Sequence, residues 1–241
     1  MFGARSIGRR RQKDEAEKPF WISFADLMSA LMVLFLVVMS VALSSVTKRL
    51  TEQERGREQR ERDIQAILAR FQQAANRFPG IIVDATRQVI DFGEQAQFEF
   101  SSSTLTGKQQ ALLRAFVPEI LRLANDSLGK RILKRIVVEG YTDKTGSYLS
   151  NLNLSLQRSQ RVLCAMFAKP TAGETALTQP QLEDIRALFL VGGYSFNAAK
   201  DTDALSRRVE MRLEFLGIGE NRGIAKGQTA GNFGECALAG P

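Results

Sequence analysis

Arg131-Ile-Leu-Lys-Arg-Ile-Val-Val-Glu139-Gly140-Tyr-Thr-Asp143-Lys-Thr-Gly146-Ser-Tyr-Leu-Ser150-Asn151-Leu-Asn-Leu154-Ser155-Leu-Gln-Arg158 holds a strand, a turn and the opening of a helix in one unbroken run. Arg131–Glu139 is rich in Ile and Val, which suit a pleated, largely buried segment. Gly140 to Gly146 then break the pattern with turn-forming residues. Leu152–Lys169 resumes with helical apolar spacing and is stopped by Pro170.

Working outward, Lys108–Asn125 is a second predicted helix, with Leu112, Leu113, Phe116, Ile120 and Leu123 on one face. Ile81–Asp84 and Gln88–Phe92 are short strand candidates, and Gln97-Phe-Glu-Phe100 alternates like a third. Leu188–Val191 and Val209–Phe215 complete the strands. Helices alternating with strands over residues 81–216 predict an α/β two-layer sandwich with its helices on one face. Residues 217–241 are Gly-rich and poor in apolar groups, so they read as a loose tail unless Cys236 pins them.

Upstream, residues 47–63 are dense in alternating charge, after which Ile64, Ile67, Leu68, Phe71, Ala75 and Phe78 recur at helical spacing up to Pro79-Gly80. This predicts a charged helical connector over residues 47–80. Its apolar stripe can pair with a second copy as a short parallel coiled coil, or lie on the following domain.

Residues 19–46 have a different solvent in mind. Phe20 to Val46 is 27 residues, about 40 Å as helix and long enough to cross a hydrocarbon core. Ala42-Leu43-Ser44 has the small-x-small pattern of a cleavage site, but the apolar run is far longer than a signal core, so a retained transmembrane helix is the expectation. Asp26 is the only charged residue between Lys18 and Lys48. A carboxylate in that setting costs roughly 2.5–3.5 kcal/mol at a bilayer centre and marks a functional site by default. Ser23 and Ser29 stand three residues to either side of it and are candidate oxygen ligands; ordinary backbone hydrogen bonding is the competing account of both serines. Six Lys/Arg precede the span and six follow closely, so the positive-inside rule leaves orientation to the downstream domain.

Bulk properties narrow the function. The net charge of +7 suits an anionic surface such as lipid or wall polymer. The basic residues lie mainly beside the apolar segment, interleaved with acids and with no aromatic stacking motif nearby, which argues against nucleic acid. The absence of histidine removes imidazole catalysis and most zinc sites. No nucleophile–base pair, metal-ligand cluster or phosphate loop is visible, so neither an enzyme nor a bound cofactor is expected. Cys164 and Cys236 lack metal-ligand spacing. They form a disulfide tying down the tail if that half is exported, or remain two unpaired thiols.

Gly140-Tyr-Thr-Asp143-Lys-Thr-Gly146, Asn151-Leu-Asn-Leu154-Ser155-Leu-Gln-Arg158 and Arg207-Arg208-Val-Glu210, in this order, resemble the OmpA-like peptidoglycan-binding domain. The resemblance implies that Asp143 and Arg158 bind diaminopimelate of the wall peptide, with Asn151, Leu154, Thr142 and Arg207 lining or supporting the site. The chemistry is reasonable in itself: a zwitterion needs an acid for its ammonium and a planar guanidinium for its carboxylate. The family often has Tyr before the Asn, where this chain has Ser150.

Pro19-Phe-Trp-Ile-Ser-Phe-Ala-Asp26-Leu-Met-Ser-Ala-Leu-Met resembles the membrane signature of MotB and PomB, the B subunits of ion-driven stators. The short N-terminal stub (residues 1–18) and the long charged helix resemble the ZorB subunits of the Zorya anti-phage defence system more than flagellar versions. These resemblances imply an inner-membrane motor, with five copies of a multi-span A subunit (ZorA- or MotA-like) around a homodimer of this chain. They also imply a cytoplasmic N-terminus, a periplasmic C-terminal domain gripping peptidoglycan, and a coupling ion bound at Asp26. A proton needs the carboxylate alone, whereas Na+ needs several further oxygens, so H+ is favoured. A flagellar stator subunit and a non-conducting wall tether are the alternatives.

Overall fold

The computed structural model describes residues 14–170, 176–223 and 231–236, with side chains from Trp21 onward. Most of the stub at residues 1–18, and residues 224–230 and 237–241 of the tail, lie outside the described residues. The chain divides into two compact units, residues 1–56 and residues 57–241.

Helix α1, Asp14–Ala75, contributes to both units. In the first unit its apolar stretch reaches a mean hydropathy of 2.5 over 18 residues, none of it buried by protein. Every residue from Leu31 to Val38 is apolar and exposed, more than two full turns, so the apolar side chains run all round the helix. A helix hydrophobic on every side is suited to lipid rather than to water.

In the second unit the order is β1 (Ile82–Asp84), β2 (Val89–Asp91), α2 (Gly107–Asn125), α3 (Ser127–Ile132), β3 (Leu133–Gly140), α4 (Tyr148–Phe167), α5 (Gln179–Leu188), β4 (Phe189–Gly193), α6 (Asp203–Ser206) and β5 (Val209–Phe215). The five strands form one sheet in the order β1-β2-β5-β3-β4; β3 and β4 run parallel and the other neighbours antiparallel. Register places Val83, Ile90, Met211, Val138 and Val191 in one row across the sheet. This row faces the core, where Phe116, Ile120, Val162 and Ile185 of the helices are buried with it. The second unit is thus a mixed α/β two-layer domain.

The connector stripe is spent on this core. Ile64, Ile67, Leu68, Phe71, Ala74 and Ala75 are buried with the sheet and α2, which leaves these side chains nothing to offer a coiled coil. Polar ties accompany the burial: Arg60 Nε donates to the Leu216 carbonyl (2.7 Å), and Arg131 and Arg70 pair with Asp63 and Asp126.

Two sequence expectations need correction. Gln97–Phe100 is not a strand; only Gln97 makes an isolated bridge, to Arg208. The long helix begins at Tyr148 rather than Leu152, because Ser147 caps it by accepting from the Ser150 N–H. The tail, over its described residues, takes the pinned of its two expected courses. Arg222 donates to the Leu133, Ala124 and Gly129 carbonyls, and Cys236 is bonded to Cys164.

The sheet face away from the helices carries charge. Glu139 and Glu210 are opposite one another on β3 and β5, and both are fully buried. Facing acids would repel, but each has its own cations. Arg212 donates twice to Glu139 (2.6 and 2.9 Å), joined by the Tyr141 hydroxyl at 2.7 Å, while Arg87 and Arg208 serve Glu210. The Arg208 guanidinium also lies 4.4 Å from the Tyr141 ring centre. This network fixes the end of β3, from which the conspicuous turn departs.

Candidate functional site

Gly140 ends β3 because nothing larger fits. A Cβ there would come 1.9 Å from the Ser155 carbonyl oxygen, and one on Gly193 of β4 would come 2.8 Å from the Leu156 nitrogen. These two glycines let the α4 backbone rest directly on the parallel pair β3/β4. The turn between β3 and α4 is therefore short. It passes through Gly146 at φ 98° and holds Asp143 at its centre.

Asp143 is almost wholly buried, with its charge answered within the chain. Oδ1 accepts from the Thr145 N–H (3.0 Å) and Oδ2 from Arg207 Nη1 (3.0 Å). Burial pushes this carboxyl up, but the Arg207 and Thr145 hydrogen bonds outweigh burial and hold it below the usual carboxylate range. Asn151 supports the turn from α4 by donating its side-chain amide to the Thr145 carbonyl (2.9 Å). Thr142 is buried and its Oγ1 has no hydrogen-bond partner, an unmet polar group beside the acid. Leu154 is half-buried on α4.

Arg158 lies nearly three turns into α4 and is fully buried. Its guanidinium is directed to backbone: Nη1 to the Tyr141 carbonyl (2.7 Å), Nε to Ser102 (2.9 Å) and Nη2 to Glu99 (3.2 Å). The Phe98 ring is 5.0 Å away. Burial pushes the group down to about 10, with nearby Asp143 opposing, so it remains a cation at neutral pH. Asp143 and Arg158 are thus neighbours by field, while the direct ion pair of Asp143 is with Arg207, whose Nε also holds the Phe98 carbonyl (3.0 Å).

Sequence reasoning did not anticipate the carbonyls of Glu99 and Ser102, because a backbone acceptor leaves no residue-type signal. It also missed Ser195. This residue is fully buried at φ 54°, accepts at its carbonyl from the Thr142 N–H (2.9 Å) and donates its own N–H to Ser155 Oγ (3.0 Å). It ties the loop after β4 to the Asp143 turn.

In the first unit, Ser23, Asp26 and Ser29 lie on one stretch of α1 and all are exposed. Ser29 Oγ donates to the Ala25 carbonyl (2.7 Å), which spends its proton but leaves oxygen lone pairs. Elsewhere, the Cys164–Cys236 disulfide joins α4 to the tail with Cα atoms 5.7 Å apart, and Phe167 and Phe233 pack beside it at 5.1 Å.

Comparison with known proteins adds independent information. The OmpA family matches residues 97–182, and the family described as membrane MotB of the proton-channel complex MotA/MotB matches residues 8–53. The Zorya protein ZorB of Escherichia coli O139:H28 (strain E24377A / ETEC) is 45% identical over 223 residues, covering 92% of this chain and 91% of that protein. Among solved structures, a putative MotB-like protein from Desulfovibrio vulgaris aligns over 68% of this chain and 99% of its own, at 16% identity and TM-score 0.40. The OmpA-like domain of FopA1 from Francisella tularensis aligns over 54% and 75%, at 19% identity and TM-score 0.35.

Proposed function

The chain belongs to the ZorB family of Zorya proteins, and from that premise we propose that it is the B subunit of an ion-driven motor in the inner membrane. In this reading Asp26 takes up and releases the coupling ion, while the domain at residues 57–241 grips peptidoglycan through diaminopimelate. The observation that carries it is a single acid, Asp26, in the stretch of α1 between Lys18 and Lys48 that is otherwise uncharged, in a chain that also carries an OmpA-like domain. Protonated, Asp26 is tolerated in an apolar seal; ionised, it is not, so alternation of the two forms couples ion passage to movement between helix faces. The ion is H+, since one carboxylate suffices for a proton, and the MotB match supports this choice. Na+ would recruit Ser23 and Ser29.

The partners are a multi-span A subunit of the ZorA/MotA kind, in five copies around two of this chain. The N-terminus is cytoplasmic and the wall-binding domain periplasmic. The disulfide supports that orientation, because such bonds persist in the periplasm and not in the cytosol. In the wall site Asp143 receives the diaminopimelate ammonium and Arg158 its carboxylate. Thr142 Oγ1 meets a polar group of the ligand, and Asn151, Leu154 and Arg207 shape the turn. The biological role is anti-phage defence.

The test is a pair of substitutions in cells carrying the complete system. Asp26→Asn is expected to abolish protection against phage and proton flux while leaving the A subunit co-purifying and the wall bound. Asp143→Ala is expected to release the wall with Asp26 chemistry intact. Full protection by Asp26→Asn would reduce the chain to a non-conducting tether.

A further inference from the structure

The two charged groups of the wall site are both occupied by the chain itself. Arg207 holds Asp143, and all three nitrogens of Arg158 are directed to backbone carbonyls, two of them in residues 99–102. That segment folds as a tight turn: the Ser102 N–H donates to the Glu99 carbonyl (3.1 Å), so this one oxygen serves both Ser102 and Arg158. Its root is fixed, since Phe98 is buried and exchanges hydrogen bonds with Arg207 in both directions (2.8 and 3.0 Å). Its tip is exposed at Glu99, Phe100 and Ser101. Ser101 is held at φ 54°, a left-handed conformation that costs a non-glycine residue free energy.

Resting on the wall-binding reading above, we propose that residues 98–102 form a strap that closes the diaminopimelate site, and that a ligand carboxylate opens it by taking Arg158 from the Glu99 and Ser102 carbonyls. The exchange is chemically favourable. A guanidinium–carboxylate pair is bidentate and sets two full opposite charges together, where the carbonyls offer only neutral acceptors, and the released carbonyls sit in an exposed turn where water replaces the lost donor. The strain at Ser101 is relieved on opening. The arrangement makes the site selective. A neutral sugar presents no group able to displace two carbonyls from a buried cation, so glycan alone does not open it. A carboxylate carried beside an ammonium does, because the ammonium simultaneously competes with Arg207 for Asp143.

Ser101 offers a test that leaves every ligand-contacting side chain in place. Glycine accepts φ 54° without strain and stabilises the closed strap; proline forbids it and favours the open one. With the full chain in detergent micelles and meso-diaminopimelate as titrant, Ser101→Gly is expected to bind roughly five-fold more weakly than the parent, and Ser101→Pro more tightly. Hydrogen exchange at the amides of residues 99–104 is expected to speed up when meso-diaminopimelate is added. Equal affinities in all three proteins, or slower exchange on binding, would overturn the strap while leaving the site intact. If Asp143→Ala binds as well as the parent, the wall reading itself falls and the strap with it.

Discussion

Gly140 shows how much one hydrogen atom in place of a methyl decides. With the Ser155 carbonyl oxygen 1.9 Å from where a Cβ would sit, Gly140→Ala must push α4 away from β3. Overpacking of this kind costs ~1–3 kcal/mol or more, and we expect a Tm lowered by several degrees together with loss of diaminopimelate binding. Calorimetry beside titration would show it, and an unchanged Tm would contradict the close approach. The buried acids give a second expectation. Asp143 is held below its ordinary range by Arg207 and Thr145 against the opposing effect of burial, and Asp91 likewise by Lys200 and the Gly93 N–H. For a carboxyl depressed in the folded state, the stabilisation is complete above the unfolded value of about 4 and is lost as pH falls through the folded value. Thermal unfolding should be nearly flat from about pH 7 to 5 and decline below pH ~4, with Asp143→Asn removing part of that decline. A Tm independent of acid down to pH ~2 would refute it.

Among the elements, the segment of α1 from Arg57 to Ala75 behaves as a layer of the domain rather than a spacer. Phe71 is wholly buried, and Phe71→Ala is expected to cost ~3–5 kcal/mol, measurable by denaturant unfolding; an effect below ~1 kcal/mol would mean that the helix is not part of the core. The disulfide closes a loop with a sequence separation of 72. Replacing Cys164 and Cys236 by Ser should destabilise the domain by roughly 2–4 kcal/mol, and a reductant should reproduce the shift in the parent protein only.

Much of this level was legible from residues alone. Val209–Phe215 alternates cleanly and forms β5 over that same range, and the expected helix Lys108–Asn125 differs from α2 only in that α2 starts one residue earlier, at Gly107. Gln97–Phe100 alternates just as well, yet it misled, because its carbonyls are claimed by Arg207 and Arg158 instead of a neighbouring strand. The short helix α5 was overlooked although Thr178 and Gln181 form a capping box with Pro180 just inside, a signal that apolar periodicity does not register. At the site, residue types and order pointed to Asp143 and Arg158. That Arg158 would be sealed behind a turn depends on backbone atoms far away in sequence, which no spacing rule reports.

For the whole chain, the two units carry separable properties. Removing residues 21–46 should release residues 57–241 from the membrane fraction as a folded, soluble fragment that still sediments with purified sacculi, whereas the intact chain should resist alkaline extraction. A fragment that is unfolded, or that no longer sediments, would show that the wall grip depends on the membrane helix. The core of residues 57–241 is drawn from the first and last elements of that unit: Ile64 and Phe71 at its start and β5 near its end. Biogenesis must respect this. If the domain crosses the membrane as proposed above, the greasy face of residues 64–75 emerges long before the sheet that will cover it, and it stays bare until β5 has followed. Such a delay makes the nascent chain a natural client for holdases and leaves truncation ahead of β5 as damaging as loss of the whole domain.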